Sequence, residues 1–185
     1  MQNKQVLLSE GIVYLRVDEN IKLKTLLPNE TSNKYVKWLN DYEVVKYTEQ
    51  KYETHSFGKV STFVEKKYVS PDEMLFGIYY LNEHVGNVKL GPINWLHLVA
   101  ELSFFIGQKK VWGLGIASGA ISRAVTYAFE TLHLYKVNAS YYEANVGSAK
   151  TLQKCGFVVE GQRINDLLFE DRRMNKILVS KTNQS

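Results

Sequence analysis

A glycine-rich stretch separates an apolar run from a long helical pattern, and its residue types suit the binding of an anion. The sequence of this stretch is Gly107-Gln108-Lys109-Lys110-Val111-Trp112-Gly113-Leu114-Gly115. The first backbone N–H groups of a helix lack partners and lie at the positive end of its dipole, so they attract anions. Glycines let a phosphate approach the backbone, and Lys110 adds positive charge. The stretch therefore predicts a phosphate-binding loop, although an ordinary strand-to-helix turn can also contain two glycines.

Three common glycine motifs do not fit this stretch. A dinucleotide fingerprint needs a third glycine and a β-α-β start, and a P-loop needs Gly-Lys-Ser/Thr. A nucleophile elbow needs serine in the middle of its five residues, whereas Ser118 is the fourth residue of the segment from Gly115 to Gly119. Loops of these three classes are therefore excluded here.

The composition is that of a folded chain with a small positive charge. The 185 residues (21.3 kDa) fit a single domain, 1–185, and contain 45% hydrophobic and 23% charged residues. The net charge of +4 suits a polyanionic small ligand and is too small to indicate nucleic acid. Cys155 is the one cysteine, which excludes an intramolecular disulfide and a cysteine-based zinc site.

Neither a membrane segment nor a metal site is expected from the sequence. No apolar run approaches the ~18 residues of a membrane span, and the apolar run near the start is too short for a signal peptide. The four histidines lack the spacing of metal ligands. These features predict a cytoplasmic protein, a monomer or homodimer, without metal, nucleic-acid or membrane partners.

Hydrophobic periodicity and turn residues predict a mixed α/β chain whose front half is largely antiparallel. Strands are predicted at 21–27, 74–81, 85–90, 98–106 and 135–139, and a terminal hairpin at 167–169 and 174–180 around the turn 170–173. Helices are predicted at 29–39, 54–69, 116–132 and 148–154, the last closed by Gly156. The helix at 116–132 has the longest apolar face and directly follows the glycine-rich stretch.

The glycine-rich stretch resembles the pyrophosphate loop of the GNAT superfamily of acyl-CoA N-acetyltransferases. Lys110-Val111-Trp112-Gly113-Leu114-Gly115 matches that family's Arg/Gln-x-x-Gly-x-Gly/Ala pattern, with lysine in the first place. Six further segments fall in the family's order and spacing: Asn40-Asp41-Tyr42-Glu43-Val44, Gly86-Asn87-Val88-Lys89-Leu90, Ala100-Glu101-Leu102-Ser103, Tyr127-Ala128-Phe129, Asn145-Val146-Gly147-Ser148 and Lys154-Cys155-Gly156-Phe157. The resemblance covers about residues 21–180 and extends to the branch typified by ribosomal-protein N-terminal acetyltransferases. That branch usually has Thr-Glu where this chain has Ser118-Gly119. The difference affects contacts made by the start of the helix that follows the loop, and not the phosphate loop itself.

The resemblance implies a GNAT fold of the α+β type: a central mixed, mostly antiparallel sheet with splayed parallel strands, flanked by helices. In that fold acetyl-CoA, as co-substrate, lies in the gap between the splayed strands. The implied cofactor-binding residues are Phe104 and Ile106 for pantetheine, Lys110, Gly113, Leu114, Gly115, Ile116 and Ala117 for pyrophosphate, and Asn145 and Lys154 for the pantetheine arm and the CoA phosphates. Asn145 is as well suited to cap the following helix, and Lys154 to a solvated helix face.

Three residues are candidates for the acyl-transfer chemistry that the resemblance implies. Glu101 matches the position of the base that deprotonates the attacking amine, its alternative being a solvent-facing charge on an edge strand. His97 is a candidate for a second base or for the wall of an acceptor pocket, its alternative being a surface histidine in a turn. Leu152 stands where many members have a tyrosine that assists the departing thiolate, so Ser148, one helical turn earlier, is the nearest hydroxyl. The alternative for Ser148 is a helix cap.

The implied function is acetyl-CoA-dependent transfer of an acetyl group to a primary amine by direct attack. The acceptor stays open between a small amine, such as an amino sugar, its nucleotide form or a polyamine, and a protein N-terminal amine. A non-catalytic acyl-CoA or nucleotide-binding module is the alternative of a different class, and Glu101 argues against it. An RNA binder is disfavoured because no RNA-recognition signature is present.

Overall fold

Eight strands and five α-helices occur among residues 11–183, the part of the chain that the computed structural model describes. The strands are β1 (Tyr14–Arg16), β2 (Ile21–Thr25), β3 (Met74–Tyr80), β4 (Glu83–Asn94), β5 (Val99–Ile106), β6 (Lys136–Tyr142), β7 (Val158–Phe169) and β8 (Arg172–Thr182). The helices are α1 (Asn33–Leu39), α2 (Tyr42–Val45), α3 (Phe57–Tyr68), α4 (Ile116–Glu130) and α5 (Val146–Lys154). Short 3₁₀ turns cover Pro28–Glu30, Glu49–Tyr52 and Lys109–Val111.

The strands form one sheet in the order β1-β2-β3-β4-β5-β6-β8-β7. Neighbouring strands are antiparallel, except that β5 and β6 run parallel and are joined by a crossover through the glycine-rich stretch and α4. Helices pack on both faces of this sheet. The predicted fold class, a mixed and mostly antiparallel sheet flanked by helices, is confirmed.

The two faces of the sheet bury separate apolar clusters. On one face α4 packs through Ala120, Ile121 and Ala124, all fully buried, and α5 packs through Leu152. The other face is covered by α1, α2 and α3. The buried residues of that second cluster are Leu26, Tyr35, Trp38, Leu39, Val45, Val60, Val64 and Leu75. The sequence therefore forms two layers of helices because apolar residues recur on both sides of the strands.

Strand β5 supplies side chains to both layers, since successive residues of a strand point to opposite faces. Ala100, Leu102, Phe104 and Ile106 pack with the α4 cluster. Phe105 packs with the opposite cluster, and Glu101 and Ser103 share its side of the strand. β5 is thus the strand from which both faces can be reached.

Strands β5 and β6 pair over only three residues. The register joins Val99 with Lys136, Ala100 with Val137 and Glu101 with Asn138, and then stops. Beyond that point β5 continues along β4 and β6 continues along β8. The two strands therefore diverge into a V-shaped gap after Glu101, which is the splayed pair that the resemblance implies.

Helix α4 begins at the position that the sequence predicts. Its N-cap is Gly115, whose φ of +79° lies in the left-handed region that favours glycine. One turn later, a Cβ on Gly119 would lie 3.0 Å from Cγ1 of Val17, so the helix approaches the β1–β2 turn closely there. Gly119 therefore serves the packing of α4 against the sheet.

The C-terminal hairpin is longer than the sequence predicts. Only Glu170 and Asp171 form its turn, both with positive φ (46° and 62°), as in two-residue turns whose twist matches that of the flanking strands. The predicted limits 167–169 and 174–180 and the predicted four-residue turn are wrong. β7 is exposed over most of its length, so its sequence carries no apolar pattern that would reveal a strand.

Helix α5 begins two residues before its predicted start and ends where the sequence predicts. Asn145 is its N-cap, with Oδ1 accepting the N–H of Ser148 at 3.1 Å. At the other end, Gly156 has φ +81°, and the N–H of Phe157 donates to the Leu152 carbonyl at 3.1 Å, which completes a Schellman motif. Strand β1 and helix α2 escaped prediction because three or four residues are too few for a periodic signal.

Within residues 11–183 no helix is long and apolar enough to cross a bilayer, and no cluster of three His, Cys, Asp or Glu side chains is arranged to hold a metal ion. Cys155 is buried, with its Sγ 3.3 Å from the Ser118 carbonyl. Burial raises the pKa of the Cys155 thiol, which therefore stays protonated at neutral pH.

Candidate active site

The gap between β5 and β6 opens into a cleft of about 560 Å³, within the range of small-molecule sites. Its walls are the end of β5, the glycine-rich stretch, the start of α4, one face of α5 and the segment from α2 to Thr48. Of the residues predicted from the sequence, those that line the cleft are Phe104, Ile106, Gly113, Gly115, Ile116, Ala117, Asn145, Ser148 and Lys154.

The free edge of β5 presents backbone groups to this cleft. The Gly107 N–H donates to the Val85 carbonyl at 2.9 Å, and hydrogen-bonded pairs alternate with non-bonded pairs along an antiparallel ladder. The backbone groups of Phe104 and Ile106, which lie at the alternate positions, therefore point away from β4 and toward the gap. The Ile106 carbonyl already accepts the indole N–H of Trp112 at 2.8 Å. Both groups of Phe104 and the N–H of Ile106 remain directed into the cleft.

The glycine-rich stretch adds further N–H groups. The first intrahelical bond of α4 runs from the Gly119 N–H to the Gly115 carbonyl, so the N–H groups of Ile116 and Ala117 have no helical partner. A Cβ on Gly113, whose φ is +80°, would meet nothing within 4 Å, so its backbone is open to the cleft. Lys110 and Leu114, also predicted here, belong to the same stretch but do not line the cleft.

An ion pair fixes this stretch to the opposite wall of the cleft. Lys109 Nζ lies 2.6 Å from Oδ2 of Asp41, and its hydrogen bond holds the pKa of that carboxyl below its usual value. Asp41 also caps α2 by accepting the N–H of Glu43 at 3.1 Å. The glycine-rich stretch and α2, which both line the cleft, are therefore tied together through one carboxylate.

The face of α5 that lines the cleft carries polar side chains. Asn145 uses Oδ1 for the helix cap, which leaves its amide nitrogen without a hydrogen bond to the described residues. The Ser148 hydroxyl likewise makes no hydrogen bond within residues 11–183, so the cap alternative for Ser148 is wrong and Asn145 fills that role. Lys154 lies two turns further along this face. Leu152 is 1% exposed and belongs to the core instead.

A second cavity, of about 780 Å³, lies on the sheet face covered by α1 and α3. Thr48, Phe104 and Phe105 line both this cavity and the cleft, so the two spaces meet at the end of β5. Other walls of the second cavity come from Tyr35 of α1 and Ser103 of β5. A molecule in this cavity can therefore approach a group held in the cleft.

Glu101 lies at the point where β5 and β6 diverge. It is exposed, and its Oε1 accepts a hydrogen bond from Nδ2 of Asn138 at 3.1 Å. It lines neither cavity, but Ser103 lies two residues further along the same face, about 6–7 Å away, and does line the second cavity. Glu101 is therefore at the border of the second cavity.

His97 is not brought together with the other candidates. It lies in the exposed turn between β4 and β5, where its N–H donates to Oδ1 of Asn94 at 3.1 Å. The extended strand from Val99 to Phe104 spans about 16 Å, so the turn lies at the opposite end of β5 from Phe104. His97 lines neither cavity, which fits the surface alternative.

The residues at the floor of the second cavity were not predicted. Asn87 is 2% exposed, and its Oδ1 lies 2.8 Å from Nε2 of His84, whose pKa is lowered by burial. The Asn87 amide nitrogen is close enough to Tyr35 to influence its hydroxyl but makes no hydrogen bond of normal geometry. Burial raises the pKa of Tyr35, so its hydroxyl stays protonated. A polar residue in the middle of an apolar strand was the signal for Asn87 in the sequence.

The part of the chain that forms these two cavities matches a known protein family. The model of the acetyltransferase (GNAT) domain matches residues 23–158, from β2 to the first residue of β7, a range that contains every residue lining the two cavities. The chain belongs to the GNAT acetyltransferase family. The family predicted from the glycine-rich stretch is thereby confirmed, and with it the class of the enzyme as an acyltransferase.

Individual GNAT relatives resemble the chain over most of its length. Spermidine N(1)-acetyltransferase of Escherichia coli is 29% identical over 160 residues, which are 85% of this chain and 83% of the relative. The structure of Vibrio cholerae spermidine N-acetyltransferase with CoA and spermine has a TM-score of 0.79 at 23% identity, covering 89% and 96% of the two chains. A ribosomal L7/L12 α-N-protein acetyltransferase with CoA has a TM-score of 0.83 at 12% identity, covering 92% and 98%. The structural likenesses show a shared GNAT fold.

Proposed function

We propose that this GNAT enzyme transfers the acetyl group of acetyl-CoA to a primary amine of a small molecule by direct attack. The observation that carries the proposal is the V-shaped gap after Glu101, lined by unpaired backbone groups and joined to a second cavity at Phe104 and Phe105. Two structural neighbours were solved with CoA in place. We assign the cleft to acetyl-CoA and the second cavity, called the acceptor cavity below, to the amine.

The groups that line the cleft fit the parts of CoA. The backbone of Phe104 and the N–H of Ile106 suit the two amides of the pantetheine arm, as an added strand would. The N–H groups of Ile116 and Ala117, beside the open backbone of Gly113, suit the pyrophosphate. The Asn145 amide and Lys154 can supplement these contacts with a hydrogen bond and positive charge. Lys110 and Leu114 lie outside the lining, where Lys110 adds positive charge to the glycine-rich stretch.

Bound acetyl-CoA supplies an activated acyl group and a thiol that leaves. The attacking amine must first lose a proton, and Glu101 is the carboxylate at the border of the acceptor cavity that can accept it. The hydrogen bond from Asn138 orients that carboxylate while leaving one oxygen unbound. Because Glu101 lies beside the cavity rather than in its lining, the proton passes through a water molecule or across a short gap.

The departing thiolate needs a proton or a hydrogen bond. The Ser148 hydroxyl lines the cleft and makes no hydrogen bond within residues 11–183, so it is available to donate. Leu152, at the place of the family's tyrosine, is buried and cannot take that part. Ser148 is therefore the proposed donor to the leaving sulfur.

Two alternatives differ from this proposal in acceptor or in class. A protein N-terminal amine is the second candidate acceptor, but a volume of about 780 Å³ is of the size that holds a small molecule. A non-catalytic CoA-binding module is the other candidate. Gly119, which stands where the related branch usually has glutamate, does not support a non-catalytic module. Gly119 faces Val17, and no group that lines the cleft is lost at this position.

Acetyl-CoA is expected to raise the melting temperature of the wild-type protein. At a hundredfold excess over Kd the gain is about 2.7 kcal/mol, or roughly 5–10 °C for a chain of this length. Gly115→Val should abolish the shift, because a branched side chain at positive φ enters the phosphate space. Gly161→Val, at an open position of β7, is the matched control and should keep it. An unchanged wild-type melting temperature in millimolar acetyl-CoA would contradict the assignment of the cleft.

Glu101→Gln is expected to lower kcat by about 10²–10⁴-fold without changing the shift caused by acetyl-CoA. The loss should be greatest at low pH, where the acceptor amine is protonated and depends most on a base. The measurement is free-thiol release across the pH range, with Glu83→Gln at the start of β4 as the control. Equal rates for Glu101→Gln and the wild-type enzyme would remove Glu101 from the mechanism.

Ser148→Ala and Asn145→Ala should separate chemistry from helix capping. Ser148→Ala is expected to keep the melting temperature and to lower kcat, with partial recovery for thioesters whose thiols are more acidic. Asn145→Ala should cost about 1 kcal/mol of stability, or roughly 2–4 °C, because the cap of α5 is lost. Wild-type kcat for Ser148→Ala would leave the hydroxyl without a part in the reaction.

A further inference from the structure

Lysines surround the acceptor cavity. Its lining includes Lys59, Lys66, Lys67 and Lys89, and the one carboxylate among its lining residues is that of Glu53. Glu73, just outside the lining, forms ion pairs with both Lys67 and Lys89. Four lysines against these two glutamates leave an excess of two positive charges on the walls formed by α3 and β4. With Glu101 at the border of the cavity, the excess around the whole space proposed for the acceptor is one.

The pairing of these lysines shows where the excess charge lies. Burial alone would raise the pKa of Glu73, but hydrogen bonds from Lys67 and Lys89 outweigh it and hold that pKa below its usual value. The ionised Glu73 therefore balances one of its two lysines. Lys59 Nζ lies 3.7 Å from Oε2 of Glu53, so these two charges balance each other. Lys66 is exposed and makes no ion pair or hydrogen bond within residues 11–183, so its charge faces the cavity uncompensated.

A buried hydrogen-bond donor of Asn87 is also unpaired behind the lining of the cavity. The amide nitrogen of Asn87 is buried and has no hydrogen-bond partner of normal geometry, whereas its Oδ1 is occupied by His84. The Tyr35 hydroxyl beside it is held in its protonated form by burial. Buried donors are nearly always satisfied in folded proteins, so the Asn87 nitrogen is an unusual donor without an acceptor behind the lining of the cavity.

We propose that the acceptor is a small amine whose molecule also carries a phosphate or carboxylate group. This rests on the function proposed above and names the class of its substrate. The anionic group lies against Lys66 and the Lys67–Glu73–Lys89 cluster. The amine then points to the junction at Phe104 and Phe105, where the cavity meets the cleft.

The same groups act against a polyamine. A polyamine brings several positive charges and, when protonated, only hydrogen-bond donors. It would be repelled by the excess lysine charge. Specificity for an anionic amine over spermidine therefore follows from the lining of this cavity, although the chain resembles spermidine N-acetyltransferases in sequence and fold.

Matched pairs of amines test the proposal. Free-thiol release from acetyl-CoA is measured with glucosamine 6-phosphate against glucosamine, with 4-aminobutyrate against butylamine, and with spermidine. At least one anionic member should exceed its neutral counterpart by about tenfold or more in kcat/KM, mainly through KM, and spermidine should be poorer than both. High salt should weaken the preference because it screens the lysine charges. The pair that shows the preference decides between phosphate and carboxylate.

A charge reversal at Lys66 separates the local charge from the field of the whole protein. Lys66→Glu should raise KM for the preferred anionic amine by about 3- to 10-fold and leave KM for its neutral counterpart nearly unchanged. Lys37→Glu changes the net charge equally on the outer face of α1, away from both cavities, and should behave as the wild-type enzyme. Both lysines are exposed, so neither variant is expected to impair folding.

The outcomes distinguish this inference from the proposed function. Calorimetric binding of glucosamine 6-phosphate or 4-aminobutyrate that depends on Lys66, without any turnover, would support the anion site and overturn acetyl transfer. Preferred turnover of spermidine or of the neutral amines would overturn the anionic class while leaving acetyl transfer in place. Turnover of a peptide with a free N-terminal amine, and of none of the small anionic amines, would overturn the small-molecule class.

Discussion

The divergence of β5 from β6 after Glu101 is the constraint on which the rest of the site depends. Backbone groups at a sheet edge need partners, and beyond the Glu101–Asn138 pair the inner edge of β5 has none in β6. The alternation of the β4–β5 ladder directs the groups of Phe104 and Ile106 into the gap. The crossover to β6 then has to begin at the end of β5, which places the N-terminus of α4 at the same gap. A strand edge and a helix terminus thus offer hydrogen bonds to one extended ligand.

The two helical layers border different spaces around that gap. On one face, the glycine-rich stretch leads into α4, and α5 supplies Ser148 and Lys154; all of these border the cleft. α1 and α3, on the other face, enclose the acceptor cavity together with β3, β4 and β5. β5 lines both spaces, through Phe104 and Phe105 at its end. The Lys109–Asp41 ion pair links the glycine-rich stretch to the start of α2, which belongs to the opposite layer.

Much of this arrangement could be predicted from the sequence, and the failures have physical reasons. α4 was predictable because its apolar face is long and its glycine N-cap is distinctive, and α5 because Gly156 marks its end. β7 was missed in extent because it is largely exposed and has no alternating pattern. The residues proposed to bind pyrophosphate follow from a contiguous motif, whereas the proposed acceptor cavity is assembled from α1, α3 and three strands that no local pattern connects. Asn87, His84 and the lysines of the acceptor cavity became meaningful only when the fold placed them on one face, and His97 was placed near Glu101 by sequence distance alone.

In the proposed complex, the gap between β5 and β6 holds the CoA thioester with its reactive end toward Glu101 and Ser148. The most direct test is a crystal structure of the protein with CoA bound. In that structure we expect pantetheine amides hydrogen-bonded to the backbone of Phe104 and pyrophosphate on the N–H groups of Ile116 and Ala117. The sulfur should lie within hydrogen-bond reach of the Ser148 hydroxyl. CoA bound outside the gap, or β5 and β6 paired through to Ile106 with no room between them, would contradict it.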